Sequence, residues 1–151
     1  MFNLVYKSKV NPIFGQTQIQ DMLEKARVYN TKNGISGCLL FYKGEFLQYL
    51  EGKEAMVLEL FEKIKMDERH SDIQLLSQSF IYHREFDHWS MAYENFLGAN
   101  HQLEYLKILI SSFIDTSQEG IDPNPSTKSF WVSAKKLLKS RKDGIESKKI
   151  K

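Results

Sequence analysis

Apolar residues recur along this chain in two rhythms, one of period two and one of period three to four. Phe2, Leu4 and Tyr6 alternate, which predicts a strand over Phe2–Ser8. Asn11-Pro12 and Gly15 break it. Ile19, Met22, Leu23 and Ala26 follow at i, i+3, i+4 and i+7, predicting a helix from Thr17, as N-cap, to Tyr29 or Asn30. Asn30 falls on the same apolar stripe, and Asn33-Gly34 ends the segment. Ser36–Tyr42 and Glu45–Glu51 read as two strands joined by the tight turn Lys43-Gly44. Glu54–Met66 reads as a second helix with the stripe Val57, Leu60, Phe61 and Ile64, continued by Asp67. Arg69 and His70 lie in the loop that follows. A strand over Asp72–Phe80, an aromatic connection over 82–88 and a fifth strand over Trp89–Phe96 complete the order.

That order is an α+β, ferredoxin-like βαββαβ arrangement with an extra fifth strand. Strands two and three are apolar on both faces, as Leu39 beside Leu40 and Phe46 beside Leu47 show. A sheet covered on one side alternates more cleanly. The expectation is therefore two helices on one face and C-terminal helices, over residues 101–114 and 130–138, on the other. Three parts follow: a domain over 1–96, a helical extension packing on the sheet over 97–141, and a disordered basic tail over 142–151.

Composition narrows the class. Among 151 residues, 42% are hydrophobic and 26% charged, ordinary for a soluble single domain. No apolar run reaches membrane-spanning length, and the first residues already read as a strand rather than a leader, so a cytoplasmic location is expected. The single cysteine, Cys38, excludes an internal disulfide. The net charge of +2 is uneven: residues 128–151 carry nine Lys/Arg against two Asp/Glu, a net of +7 that leaves −5 for the rest. A basic end can touch nucleic acid, lipid or an acidic partner, but more often it is a solvated terminus.

The chemistry-bearing residues stand where apolar ones belong. Gln48 shares a strand face with Phe46 and Leu50; Tyr6 and Ser8 share one with Leu4. An amide buried without a partner costs about 1–3 kcal/mol, so something polar must meet Gln48. Taken singly, Tyr6 can be a core phenol with a satisfied hydroxyl, Gln48 a strand amide paired to backbone, and Asn30 a helix-terminal residue. Asp67 can pair with Arg69 at the surface, and Trp89 and Met91 can be ordinary core. Together they imply a polar network around a ligand. No serine or cysteine has a triad around it, the histidines lack metal-ligand spacing, and neither a P-loop nor a GxGxxG motif is present.

The set resembles one family. Tyr6-Lys7-Ser8, Asn30 with Asn33-Gly34-Ile35-Ser36-Gly37, Phe46-Leu47-Gln48-Tyr49-Leu50-Glu51-Gly52, Asp67-Glu68-Arg69-His70 and Trp89-Ser90-Met91 match the BLUF domain in order and spacing. The resemblance spans about residues 1–96 and is that of the short, stand-alone type. It implies FAD, with the isoalloxazine ring between the two helices. Asn30 resembles the asparagine that bonds the ring's pyrimidine edge, Gln48 the glutamine that bridges phenol and flavin, and Tyr6 the phenol that donates an electron and proton under blue light. Rearrangement of Gln48 would then red-shift the absorption without consuming the flavin. Ser8, Lys63, Ile64, Asp67, Arg69 and His70 fall among the family's cofactor contacts, Lys63 standing where arginine is frequent. Trp89 and Met91 would relay the change along strand five. The resemblance further implies a downstream signalling protein and a homo-oligomer, with neither an enzyme activity, a membrane nor nucleic acid as the target. Two rivals stand beside it: a flavin enzyme, which would need a substrate cavity and a general acid or base, and a ferredoxin-like nucleic-acid or protein binding module, which would need an open sheet face.

Overall fold

The computed structural model describes residues 1–87 and 89–95. The elements are β1 (Phe2–Val10), α1 (Gln16–Lys32), β2 (Ser36–Tyr42), β3 (Glu45–Gly52), α2 (Glu54–Lys65), β4 (His70–Phe80) and β5 (Ala92–Asn95). They form one five-stranded sheet in the order β4-β1-β3-β2-β5. β3 lies antiparallel between β1 and β2, and β1 antiparallel between β3 and β4, which is the split βαβ arrangement expected. The extra strand β5 runs parallel to β2.

The hairpin turn forms because Lys43 and Gly44 both take positive φ, 50° and 77°, which matches the strand twist. Gly37 in β2 answers a different demand. A Cβ there would stand 2.1 Å from the Tyr49 carbonyl oxygen, so only glycine allows the two backbones to approach.

Both helices cover the same sheet face. Leu4, Tyr6, Leu39, Phe46 and Leu50 form one buried cluster with Ile19 and Leu23 of α1 and Val57 and Phe61 of α2. β2 and β3 are buried on both faces, as their two-sided apolar pattern required. The C-terminal helices and the basic tail expected to follow lie outside the described residues.

Several boundaries differ from the sequence reading: β1 runs on to Val10 and β3 to Gly52, α2 ends at Lys65, and four further differences have a visible cause or geometry. α1 starts at Gln16 behind an extended Gly15, so Thr17 is inside the helix and not its cap. It ends at Lys32 rather than Asn30, because the Asn33 side chain caps the Tyr29 carbonyl at 2.8 Å. β4 begins at His70 rather than Asp72: the strand runs through a bulge, where Asp72 takes φ 51° and the pairing with β1 shifts. β5 begins at Ala92 rather than Trp89. Trp89 makes one isolated backbone bond to Gly37 of β2, and the Ser90 and Met91 carbonyls are then taken by the Asn30 and Arg27 side chains, so the ladder becomes continuous only from Ala92.

Candidate functional site

A cavity of about 330 Å³ opens between α1 and α2 above the sheet. That volume lies at the lower end of the roughly 300–1,000 Å³ typical of small-molecule sites. Its walls are mostly apolar: Met22, Leu23 and Ala26 from α1, Leu60 and Ile64 from α2, Leu39 and Phe46 from the sheet. The α1 stripe thus serves two purposes. Ile19 is buried against the sheet, Met22 and Ala26 line the cavity, and Leu23 does both.

The floor carries a polar pair set by strand register. Tyr6 of β1 and Gln48 of β3 are directly opposed residues of the antiparallel ladder. The Tyr6 hydroxyl donates to Gln48 Oε1, and Gln48 Nε2 donates to the Met91 sulfur at 3.4 Å. The amide demanded by the sequence reading is therefore satisfied on both ends. Burial, and then the charge of Asp67, push the Tyr6 phenol far above its ordinary pKa, so it stays protonated throughout the accessible range.

Asn30 supplies the opposite wall. Its Nδ2 donates to the Ser90 carbonyl at 2.8 Å, while its Oδ1 is buried and has no partner. Buried acceptors are almost always paired, so an orphan acceptor lining a cavity points to a ligand donor. A flavin ring, flat, largely apolar and edged by an N–H between two carbonyls, fits this set of groups.

Charged groups ring the mouth. Asp67 receives the Arg69 backbone N–H and guanidinium, which hold its carboxyl below the ordinary carboxylate range against the opposing effect of burial. Lys63 reaches from α2 across to α1, with its Nζ 4.7 Å from the Tyr29 ring centre and 3.3 Å from the Tyr29 hydroxyl. His70 lies at the cavity edge between the Ser8 hydroxyl (2.8 Å) and the Ile64 carbonyl (2.9 Å). The carbonyl can only accept, so Nε2 carries a hydrogen and the ring is fixed in orientation.

The structure thus brings Tyr6, Asn30, Gln48, Lys63, Ile64, Asp67, Arg69, His70 and Met91 around one cavity. Ser8 stands behind it and orients His70. Trp89 does not line the cavity and does not alternate with Met91 on a strand. Its ring packs on Phe86, which packs in turn on Tyr49 of the opposite sheet face. Tyr29, Lys25 and Arg27 were missed. Arg27, a buried cation on the α1 core face, was detectable as a charge in phase with Ile19 and Leu23.

Comparison with known proteins accords with this geometry. The family of sensors of blue-light using FAD, BLUF, matches residues 1–92. The chain belongs to the BLUF family, whose members are flavin-based sensors of blue light. It is 32% identical over 73 residues to photoactivated adenylate cyclase subunit alpha of Euglena gracilis, covering 48% of this chain and 7% of that protein. It is 31% identical over 83 residues to the blue light- and temperature-regulated antirepressor BluF of Escherichia coli (strain K12), covering 55% of this chain and 21% of that protein. The chain therefore spans less than a quarter of the length of these curated relatives. The structure of BlsA in its photo-activated state is similar with a TM-score of 0.66 and 29% identity, over 92% of each chain. Among the described residues no helix is long and apolar enough to cross a membrane, and no group of three His, Cys, Asp or Glu could hold a metal.

Proposed function

We propose that this chain is a photosensory unit that binds FAD between α1 and α2, converts blue light into a rearrangement of the Gln48 side chain, and passes the change to a separate protein. One observation carries the reading: the hydrogen-bonded Tyr6–Gln48 pair and the unpartnered Asn30 Oδ1 face one cavity of ligand size. The similarity to BlsA over 92% of each chain supports reading these residues as a photosensory unit.

The residues act as follows. Asn30 Oδ1 would accept the ring N–H of a bound flavin, and the apolar walls would hold the ring and exclude water. The bound flavin supplies the chromophore and, once excited, the electron acceptor. Tyr6 is the donor. A phenol that loses an electron becomes strongly acidic, and its proton already points at Gln48 Oε1. Protonation there removes the reason for the present amide orientation, since Oε1 can no longer accept from Tyr6. The amide then turns or tautomerises, and its contact with the Met91 sulfur is released. Met91 sits at the threshold of β5, so the movement reaches the sheet edge. Lys63 and Arg69 place donors at the mouth, where the ribityl and phosphate groups of FAD would leave the cavity, and His70 forms part of its edge. Lys63 contributes one ammonium there in place of a bidentate guanidinium.

The deciding experiment is a visible spectrum of the purified protein before and after a blue pulse, followed in the dark. Flavin bands that shift red and relax meet the proposal; bands that bleach or stay fixed refute it. Chromatography of the heat-released cofactor separates FAD from FMN. Self-association, which the same reading implies, is tested by light scattering in dark and light.

A further inference from the structure

Behind the cavity, on the face of β3 opposite Gln48, lies a carboxylate that the photochemistry does not use. Glu51 is fully buried and accepts four hydrogen bonds, two on each oxygen. Oε1 accepts from the Tyr49 hydroxyl (3.0 Å) and the Glu85 N–H (2.7 Å). Oε2 accepts from the Ser36 hydroxyl (2.8 Å) and the Phe86 N–H (2.6 Å). A backbone N–H cannot accept, so each oxygen is an acceptor towards the main chain, while the Ser36 and Tyr49 hydroxyls can donate or accept; burial raises the Glu51 pKa, and the grip on the two peptide groups persists in either protonation state. Its outer partners are backed in turn: Asn3 donates to the Tyr49 hydroxyl at 3.4 Å, and Arg84 to the Ser36 hydroxyl at 2.8 Å.

The grip falls on the segment that leads into the site. Phe86 is fully buried, and its carbonyl accepts from the Trp89 N–H at 3.1 Å, closing a tight turn. The Trp89 carbonyl accepts from Gly37 N–H at 3.2 Å. The next two residues are Ser90, held by Asn30, and Met91, whose carbonyl is held by Arg27 at 3.1 Å and whose sulfur meets Gln48. Gln48 and Glu51 stand three residues apart on one strand. One touches Met91 directly, and the other holds the turn that delivers it.

We propose that Glu51 is a positioning residue of the photoswitch: by clasping the peptide groups of Glu85 and Phe86 it sets where the Met91 sulfur meets the Gln48 amide, and so governs the lifetime of the light-adapted state. The inference rests on Gln48 being the group that rearranges. The Gln48–Met91 contact belongs to the dark arrangement and favours the return to it. Loosening the clasp weakens that contact and slows dark recovery.

Glu51→Gln tests this sharply. Each carboxylate oxygen holds one backbone N–H, so an amide in either orientation turns its NH₂ against one of them. The variant is expected to keep its flavin and its light-induced shift, to exchange the amides of residues 85 and 86 faster, and to recover in the dark at least about threefold more slowly. Ser36→Ala, which leaves both peptide bonds in place, should stay within about 1.5-fold of the parent. Met91→Leu removes the sulfur and should slow recovery by itself. In that background Glu51→Gln should add nothing, since both act through one contact. Unchanged recovery in Glu51→Gln despite faster exchange overturns the proposal, as does equal slowing with and without Met91. Should Glu51→Gln not accumulate folded, Glu51→Asp withdraws the same carboxylate by one methylene and is expected to slow recovery too. The parent protein is measured alongside: a parent without a photocycle refutes the reading of Gln48 itself, whereas a cycling parent with an indifferent Glu51 refutes only the clasp.

Discussion

Replacing Tyr6 by phenylalanine removes one oxygen from the cavity floor and little else. Tyr6 is 2% exposed and Gln48 7% exposed, so no bulk water reaches the vacated place easily. The Tyr6 hydroxyl is the donor to Gln48 Oε1, and without it that acceptor is buried and unsatisfied. Such a loss costs about 1–3 kcal/mol. In a chain of this size, roughly 2–4 °C of Tm accompany each kcal/mol, so the expected fall is about 2–12 °C. The apolar walls and Asn30 are untouched, so the protein should remain yellow. The photocycle should not survive, because phenylalanine offers neither an easily removed electron nor a proton to pass to Gln48. The assay pairs a light-minus-dark spectrum with a thermal melt at matched flavin loading, since bound ligand itself raises Tm. A red shift that persists with ordinary dark recovery would refute the role given to Tyr6. A shift that vanishes while Tm is unchanged would show that Gln48 Oε1 finds another donor.

Gln48→Leu should likewise hold flavin but show no light-induced shift, because the moving amide is gone; an unaltered difference spectrum would contradict this. Asn30→Ala removes both the orphan acceptor and the donor to the Ser90 carbonyl, and should weaken flavin binding roughly tenfold or more, read by titrating the apoprotein. Gly37→Ala drives a Cβ to 2.1 Å from the Tyr49 carbonyl oxygen and should cost roughly 3 kcal/mol or more, seen as a lowered denaturation midpoint with no change in the flavin spectrum of what remains folded. Asp67 has a folded-state pKa below its unfolded one, owing first to the Arg69 hydrogen bonds. Its contribution is thus fully present above about pH 4 and lost as pH falls through the folded value. Asp67→Asn should therefore make the fall of Tm below about pH 4 shallower.

The sheet was legible because its two-residue rhythm is strong. Gln48 and Tyr6 were legible because they interrupt that rhythm with polar groups, and the ladder does place them opposite each other. The errors at the end of α1 and the start of β5 have one physical kind: side chains that take over backbone partners. Asn33 capping Tyr29 carries α1 past Asn30, and Arg27 and Asn30 capture the carbonyls that Trp89–Met91 would otherwise give to a strand. The Asn33 cap is local, but no periodicity encodes the other two captures, which depend on groups 64 and 60 residues apart meeting in space. The bulge at Asp72 hid the start of β4 for a related reason, because a residue with positive φ ends the alternation without ending the strand. Glu51 was read only as part of a motif. Its position on the buried face beside Leu47 and Tyr49 was available from the same alternation that singled out Gln48.

Tyr6 and Gln48 meet because they occupy one rung of the β1–β3 ladder. Side chains on one rung lie about 5 Å apart at Cβ, and their relation is fixed by the whole row of backbone bonds. A slip of a single rung would swing Gln48 to the far side of the sheet and present Leu47 or Tyr49 to the cavity instead. Light sensitivity in this fold is therefore quantised by pairing: intermediate alignments do not exist, so it is either fully present or absent. Point substitutions around the cavity can tune the response by degrees, but one inserted or deleted residue between the Lys43-Gly44 turn and Gln48 would erase it outright. The hairpin turn, which forms no part of the cavity lining, thus acts as the tolerance-setting part of the device, and variation in its length should be excluded from any functional relative.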